Sequence, residues 1–215
     1  VEPELERLLR AGVSSLVRAM ASGDNAARLA ALDDGMVNAF SRYLDLLLLW
    51  NRRVNLSAVR DPAGIIEKHF VDSLATLSHI PEEARTLVDV GSGAGFPGAV
   101  IALARPDLSV TLVESIHKKT AFLEAVRREL ALHNLTVQSR RIEELELAVD
   151  VAVSRATWDV NDWLRLGATL VHPGGTVLGM EGSASHALPE GASRHPYPLG
   201  SATRAIVVLR VPRST

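Results

Sequence analysis

The residues best suited to chemistry lie between Thr86 and Glu114. Asp89 follows a short apolar run, and glycines come next at Gly91, Gly93, Gly95 and Gly98. Glu114 ends a second, β-branched run, Val110 to Val113. A tight turn leaving a strand needs left-handed backbone, which glycine adopts most cheaply. A missing Cβ also lets the backbone approach a ligand. Pro97 suits the first turn of a following helix, where its absent N–H is no loss. A carboxylate at Glu114, beside the glycine loop, can accept both hydroxyls of a ribose. Strand, glycine loop, helix, strand and acid make one right-handed βαβ unit built to hold a nucleoside.

Two ligand classes fit that unit. Gly93-Ala-Gly95-Phe-Pro-Gly98 satisfies G-x-G-x-x-G, and Glu114 lies twenty-one residues after its first glycine, which is the dinucleotide spacing. Gly91-Ser-Gly93-Ala-Gly95 behind Asp89 reads instead as the G-x-G-x-G loop of S-adenosylmethionine (SAM) methyltransferases. An acid there suits a ligand carrying a cationic sulfonium and ammonium, and it repels a pyrophosphate. SAM is therefore the preferred reading, NAD the second, and a ligand-free glycine turn the third.

The elements around the unit must position it. Residues 1–32 show helical apolar spacing at Leu5, Leu8, Leu9, Val13, Leu16 and Val17, with a break at Ser22-Gly23-Asp24. A second amphipathic helix is expected from Asp34 to Asn51, with Phe40, Tyr43, Leu44, Leu47 and Leu48 as its apolar stripe. A polar segment follows, carrying Arg52, Arg53, Asn55, Ser57 and Arg60 and ending in a turn at Asp61-Pro62. The next helix, from Ala63 to about Leu77, adds Lys68, His69 and Asp72; Asp72 at i+3 is spaced to orient His69, which is equally the spacing of a common structural pair. Together these read as a substrate-facing lip with cationic, amide and hydroxyl groups for phosphate and sugar. A solvated connector is the plainer reading.

After the βαβ unit, Ser115 to His133 reads as a helix with a basic face at Lys118, Lys119, Arg127 and Arg128. Thr136 to Ser139 is the third strand, and Ile142-Glu143-Glu144 follows it. An acid after a third strand can hold an adenine amino group. Asp150 to Ala156 is the fourth strand, with Ser154-Arg155 at the sheet edge where ligands of open α/β sheets bind. Trp158 to Val171 reads as helix, Pro173-Gly174-Gly175 as a turn, Thr176 to Met180 as the fifth strand, 181–200 as loop and Ala205 to Val211 as a last strand. A late hairpin-like strand after a βα series fits a methyltransferase sheet better than a dehydrogenase, which strengthens the SAM reading.

Composition sets bounds. The chain has 215 residues, 47% of them hydrophobic and 22% charged, with a formal net charge of −2. That is normal for a globular chain, and any RNA binding must use a local basic patch. No apolar run approaches the roughly 20 residues of a membrane span, and the start shows no signal-peptide pattern. The absence of cysteine excludes disulfides and cysteine metal sites. A cytoplasmic protein with no membrane contact and no metal is expected.

With these residues in hand, the chain resembles the bacterial 16S ribosomal RNA guanine-N7 methyltransferases, also called glucose-inhibited division protein B. The matching pieces are Trp50-Asn51, Asn55-Leu-Ser-Ala-Val-Arg-Asp-Pro62, His69-Phe-Val-Asp-Ser73 and Asp89 to Gly98. Ser139-Arg140, Ile142-Glu143-Glu144, Ser154-Arg155-Ala156 and Pro173-Gly174-Gly175 complete them. The resemblance implies a class I SAM-dependent methyltransferase: a Rossmann-like α/β fold with a mostly parallel seven-stranded sheet (81–215) and a helical N-terminal extension with the lip (1–80). It implies methyl transfer from SAM to N7 of one guanine, on 16S rRNA or the 30S subunit, by a monomer. A different small-molecule or protein substrate is the rival.

Cofactor-binding positions are then expected at Asp89, Gly91, Gly93, Gly95, Phe96, Glu114, Ile142, Glu143 and Arg155. RNA-binding positions are expected at Arg52, Arg53, Asn55, Arg60, Lys68 and His69. No residue is expected to act as a chemical catalyst. One departure stands out: Glu181 lies where the family often carries a lysine. It implies less positive charge on the substrate face.

Overall fold

The computed structural model describes residues 3–19, 34–155, 158–182 and 187–213. Seven strands form one sheet: β1 (Thr86–Val90), β2 (Ser109–Val113), β3 (Leu135–Gln138), β4 (Val149–Arg155), β5 (Val171–Glu181), β6 (Ala192–Leu199) and β7 (Ala202–Arg210). Their order is β3-β2-β1-β4-β5-β7-β6. The first five run parallel, β7 is antiparallel to β5, and β6 closes the edge antiparallel to β7. The strand order reverses between β1 and β4, and the C-terminal edge there opens a crevice for ligands.

The period-two alternation of the central strands explains the layering. On one face Leu87, Val110, Leu112, Val151, Val153 and Leu178 join a large apolar cluster. It takes in α1 (Pro3–Ala19), α2 (Asp34–Asn51), α5 (Gly98–Ala104) and α6 (His117–Glu129). On the other face Val88, Val90, Val113, Ala152 and Val177 pack on Val160, Trp163 and Leu164 of α7 (Val160–Ala168). Helices on both faces are what a central parallel sheet requires, since its strands are apolar on both sides.

The N-terminal extension is not a separate core. Leu9, Val13 and Leu16 of α1 and Phe40, Tyr43, Leu44 and Leu47 of α2 belong to the same cluster as the sheet. Helix α1 is described to Ala19, and the expected break at Ser22-Gly23-Asp24 lies outside the described residues.

Three expectations need correction. The helix from Ala63 is not regular: α3 (Pro62–Ile65) passes into a π-helical stretch (Ile66–Val71), then α4 (Asp72–Leu74) and a 3₁₀ turn (Ala75–His79). Single π turns widen a helix and re-aim side chains, and they occur often at functional positions. The Pro-Gly-Gly turn lies inside β5, where the β4–β5 register shifts between Val149 and Val151 to absorb the extra residues. The stretch 181–200 is not all loop. Ala192–Leu199 is strand β6, whose Pro196 and Pro198 are tolerated because β6 is a sheet edge.

Candidate cofactor and substrate site

An open cavity of about 540 Å³ lies at the C-terminal edge of the parallel strands. Its size is in the range of small-molecule sites. Val90 and Gly91 reach it from β1, Val113 to Ile116 from β2, Arg140 to Glu143 from β3, Trp158 from beyond β4, and Lys119 from α6. Of the sequence-predicted cofactor residues, Gly91, Glu114, Ile142 and Glu143 line this cavity.

Glu114 is held tightly. Its Oε2 accepts the Gly93 N–H at 3.0 Å and its Oε1 accepts the Ile116 N–H at 2.9 Å. The Lys119 ammonium stands 3.8 Å away. Each carboxylate oxygen keeps acceptor capacity for a hydroxyl. Ile116, about half exposed, and the partly buried Ile142 give the same cavity apolar surface.

Asp89 is fully buried beneath the loop. Its Oδ2 accepts the Gly98 N–H at 2.9 Å, while Oδ1 has no partner. Burial pushes the carboxyl up to about 7, against the pull of the Gly98 N–H and the Arg155 charge. An unsatisfied buried acceptor is costly, and a cationic donor would relieve it. A pyrophosphate would aggravate it. The donor set therefore fits SAM, with Glu114 toward a ribose and acidic character under the glycine loop.

The glycines divide the work. Gly91, Gly93 and Gly95 all have positive φ, at 70°, 59° and 88°. At Gly93 a Cβ would meet only an ordinary contact, the Gly91 carbonyl at 3.9 Å, so backbone conformation alone demands glycine there. At Gly95 a Cβ would run into the Tyr43 hydroxyl, and at Gly98 it would strike Leu112 and Asp89. Gly95 and Gly98 therefore serve packing as much as any ligand.

Phe96 is buried under the loop, outside the cavity lining. It stacks on Tyr43 with centroids 5.3 Å apart and on His69 at 4.8 Å, and the Arg155 guanidinium lies 5.3 Å from its ring centre. The Tyr43 hydroxyl donates to the Ala94 carbonyl at 2.6 Å. This aromatic layer joins the glycine loop to the lip. Arg155 also turns to the lip: it donates to the Lys68 carbonyl at 3.0 Å and pairs with Asp72 at 3.2 Å.

The lip is locally ordered by Asn51, which sequence reading gave no role beyond a matched motif. Its side-chain oxygen accepts the Leu56 and Ser57 N–H groups, and its amide donates to the Ser57 carbonyl. Asp61 caps α3 through the Gly64 N–H at 2.6 Å, with Pro62 at the first helical position. Arg52, Arg53, Asn55, Arg60 and Lys68 are all exposed. His69 is held between Ser57 Oγ, 2.6 Å from Nε2, and the Lys68 carbonyl, 3.0 Å from Nδ1. Burial and the neighbouring Arg155 lower it to about 4, so it is neutral at physiological pH.

Asp72 does not orient His69, contrary to the expectation from its spacing. Fully buried, it accepts the Tyr197 O–H at 2.6 Å and pairs with Arg155 and Arg204. Tyr197 and Arg204 left no signal in the sequence, because they sit on a hairpin hidden in Pro- and Ser-rich text. Glu181 is likewise answered from that hairpin: Arg194 pairs with it at 2.6 Å. The acid at 181 is therefore neutralised rather than presented to the substrate face.

Comparison with known proteins agrees with this geometry. The sheet and helices resemble a SAM dependent methyltransferase from Aquifex aeolicus, with a TM-score of 0.54 at 15% identity over 72% of this chain and 96% of that one. TrmN from Thermus thermophilus gives 0.56 at 17% identity, covering 75% of this chain and 53% of that one. These show the class I methyltransferase fold. Closer relatives named ribosomal RNA small subunit methyltransferase G include that of Burkholderia ambifaria, 43% identical over 71% of this chain and 70% of its own. That of Anaeromyxobacter sp. is 44% identical over 77% and 84%. The family model for rRNA small subunit methyltransferase G matches residues 36–207, and the chain belongs to that family.

Proposed function

We infer that this protein transfers a methyl group from SAM to N7 of one guanine in 16S rRNA, either on the naked RNA or on the 30S subunit. The observation that carries the reading is a cavity at the C-terminal sheet edge, lined by Gly91 and Glu114, with the exposed cations Arg140 and Arg141 in its wall. Among the described residues, Arg52, Arg53, Arg60, Lys68, Lys118, Arg140 and Arg141 are exposed and make no ion pair, and the same holds for Arg18, Arg128, Arg210 and Arg213 elsewhere on the chain. Arg52, Arg53, Arg60 and Lys68 lie on the lip, Lys118 in the first turn of α6, and Arg140 and Arg141 line the cavity. Cations elsewhere are mostly answered by acids: Arg105 by Asp107, Arg127 by Glu124, Arg165 by Asp162. Unanswered cations around a pocket supply the phosphate contacts that an RNA substrate needs, even in a chain of net charge −2.

When bound, SAM supplies an electrophilic methyl on a sulfonium. The chain has only to hold the target base in line with it. Guanine N7 has an in-plane lone pair and no proton, so no side chain must act as a base there. Positioning carries the rate, through a fixed cavity and a rigid lip. His69 is neutral in this environment and adds no positive charge beside a purine that becomes cationic. Arg155 is paired with Asp72 and turned to the lip, outside the cavity lining. In this reading residues 81–215 are the methyltransferase domain and 1–80 the extension that faces RNA. The protein works as a monomer in the cytoplasm. No described helix is long and apolar enough to cross a membrane.

The test is transfer of labelled methyl from SAM to 16S rRNA and to 30S subunits lacking the modification. Mapping to one N7-methylguanine is the expected result. SAM binding without transfer to either RNA would overturn the substrate and leave the cofactor.

A further inference from the structure

The β6–β7 hairpin is the last element of the sheet, on the far side of β5 from the cofactor cavity. It nevertheless reaches the lip at three points. The Tyr197 hydroxyl donates to Asp72 Oδ1 at 2.6 Å. The Arg204 Nε stands 3.3 Å from the same carboxylate. At the hairpin turn, Gly200 has φ +57°, and a Cβ there would come within 2.5 Å of the Glu67 carboxylate on the π-helical stretch.

Asp72 is fully buried, and its other oxygen takes Arg155 at 3.2 Å. Arg155 in turn holds the Lys68 carbonyl, lies 3.3 Å from His69 Nδ1 and covers the Phe96 ring. One carboxylate thus ties a strand-edge arginine, the lip and a remote hairpin together. Two guanidiniums on one acid leave the node with surplus positive charge, so the neutral phenol O–H completes the carboxylate's shell without adding more. A shared buried acceptor of this kind holds its partners in a single geometry, because losing any one of them removes a hydrogen bond or an ion pair from a carboxylate shut off from water.

We propose that Tyr197 and Arg204 are positioning residues for the RNA substrate: through Asp72 they fix Arg155, and with it Lys68 and His69, on the lip beside the cofactor cavity. The inference rests on the RNA reading above. Neither residue lines the cavity, so their effect falls on RNA and spares SAM. Displaced lip groups lose binding to RNA in the ground and transition states alike, which raises KM and leaves kcat nearly unchanged.

The experiment uses the full chain, with Tyr197→Phe, Arg204→Ala and Arg204→Lys. SAM affinity is read by calorimetry, and methyl transfer to 30S subunits lacking the modification is read as kcat and KM for the particle. Tyr197→Phe removes one oxygen and keeps the ring, so it is the variant least exposed to folding failure. The expected result is a KM for 30S raised about fivefold or more, with SAM affinity and kcat within about twofold of wild type. Arg204→Lys recovers most of what Arg204→Ala loses, because a cationic donor to Asp72 returns. An unchanged KM in Tyr197→Phe overturns the proposal. So does a parallel loss of SAM affinity, which marks a role in folding alone. A wild-type protein that methylates no RNA would instead defeat the reading on which the proposal rests.

Discussion

The Glu114 carboxylate and the Gly93 N–H meet at 3.0 Å, and this contact fixes the acid of β2 against the loop of β1. The same carboxylate accepts the Ile116 N–H, so it cannot swing away from the cavity. Glu114→Gln keeps the shape and removes the charge. Its amide presents a donor where an N–H donor already stands. SAM affinity is expected to fall about tenfold or more, in line with roughly 1.5–3 kcal/mol for hydrogen bonds to a charged group. Calorimetric titration checks it, and unchanged affinity would remove Glu114 from the ribose.

Asp89 is expected to make cofactor binding pH-dependent. Burial raises its folded value to about 7, above its ordinary range, so the free protein holds a proton there at mildly acidic pH. The group therefore favours the folded state at low pH, and that contribution is lost as pH rises from about 4 through 7. A cationic ligand favours the ionised carboxylate and expels the proton. SAM affinity is expected to rise between about pH 6 and 8, with proton release visible as a buffer-dependent heat. In Asp89→Asn both signals should vanish.

Gly95 tests the packing side of the loop. Its φ is +88°, and a Cβ would collide with the Tyr43 hydroxyl. Gly95→Ala is expected to destabilise the protein by about 1–3 kcal/mol through backbone strain and overpacking. Thermal denaturation reads it. Gly93→Ala meets no such collision and should cost less.

A second buttress lies at the opposite edge of the sheet. Asp150 on β4 accepts the Arg85 and Thr86 N–H groups, the Thr86 hydroxyl and His172 Nε2, all within 2.9 Å. These bonds hold its carboxyl well below the usual range, and Asp150 raises His172. The acid's contribution is present above the ordinary carboxylate value and lost as pH falls through the depressed one. The histidine's contribution is full below about 6.5 and lost as pH rises through its raised value. The pair is thus strongest between about pH 4 and 6.5. Asp150→Ala is expected to lose roughly 1–3 kcal/mol of stability in urea unfolding. SAM affinity in the folded variant should be unchanged.

How far the sequence reached depends on where the information sits. The βαβ unit was legible because glycines, a β-branched run and a spaced acid are all local. Gly91, Glu114, Ile142 and Glu143 accordingly lie together in one cavity. Phe96 and Arg155 share the motif stretches with those residues, yet they face the lip, because the side a motif residue faces is a tertiary matter. Strand β6 was hidden by two prolines, which mark turns in general but are allowed on an edge. The tie of Asp72 to Tyr197 spans 125 positions and has no local trace. The i,i+3 spacing to His69 pointed to the nearer and wrong partner.

The lip cations give the RNA reading its sharpest numerical test. Arg52, Arg53 and Arg60 are exposed and unpaired among the described residues, so each is free to release a counterion on meeting phosphate. Arg60→Ala should weaken RNA binding at low salt and leave SAM affinity unchanged. The slope of log K against log salt should flatten by about 0.7–0.9 for each phosphate contact removed. A double change at Arg52 and Arg53 should flatten it about twice as much, since separate phosphate contacts add. Filter binding of 16S rRNA across a salt series measures the slopes. Arg165, already paired with Asp162 on α7, is the matched control, and its alanine variant should leave the slope where it was. Equal slopes for lip and control variants would move the RNA off the lip.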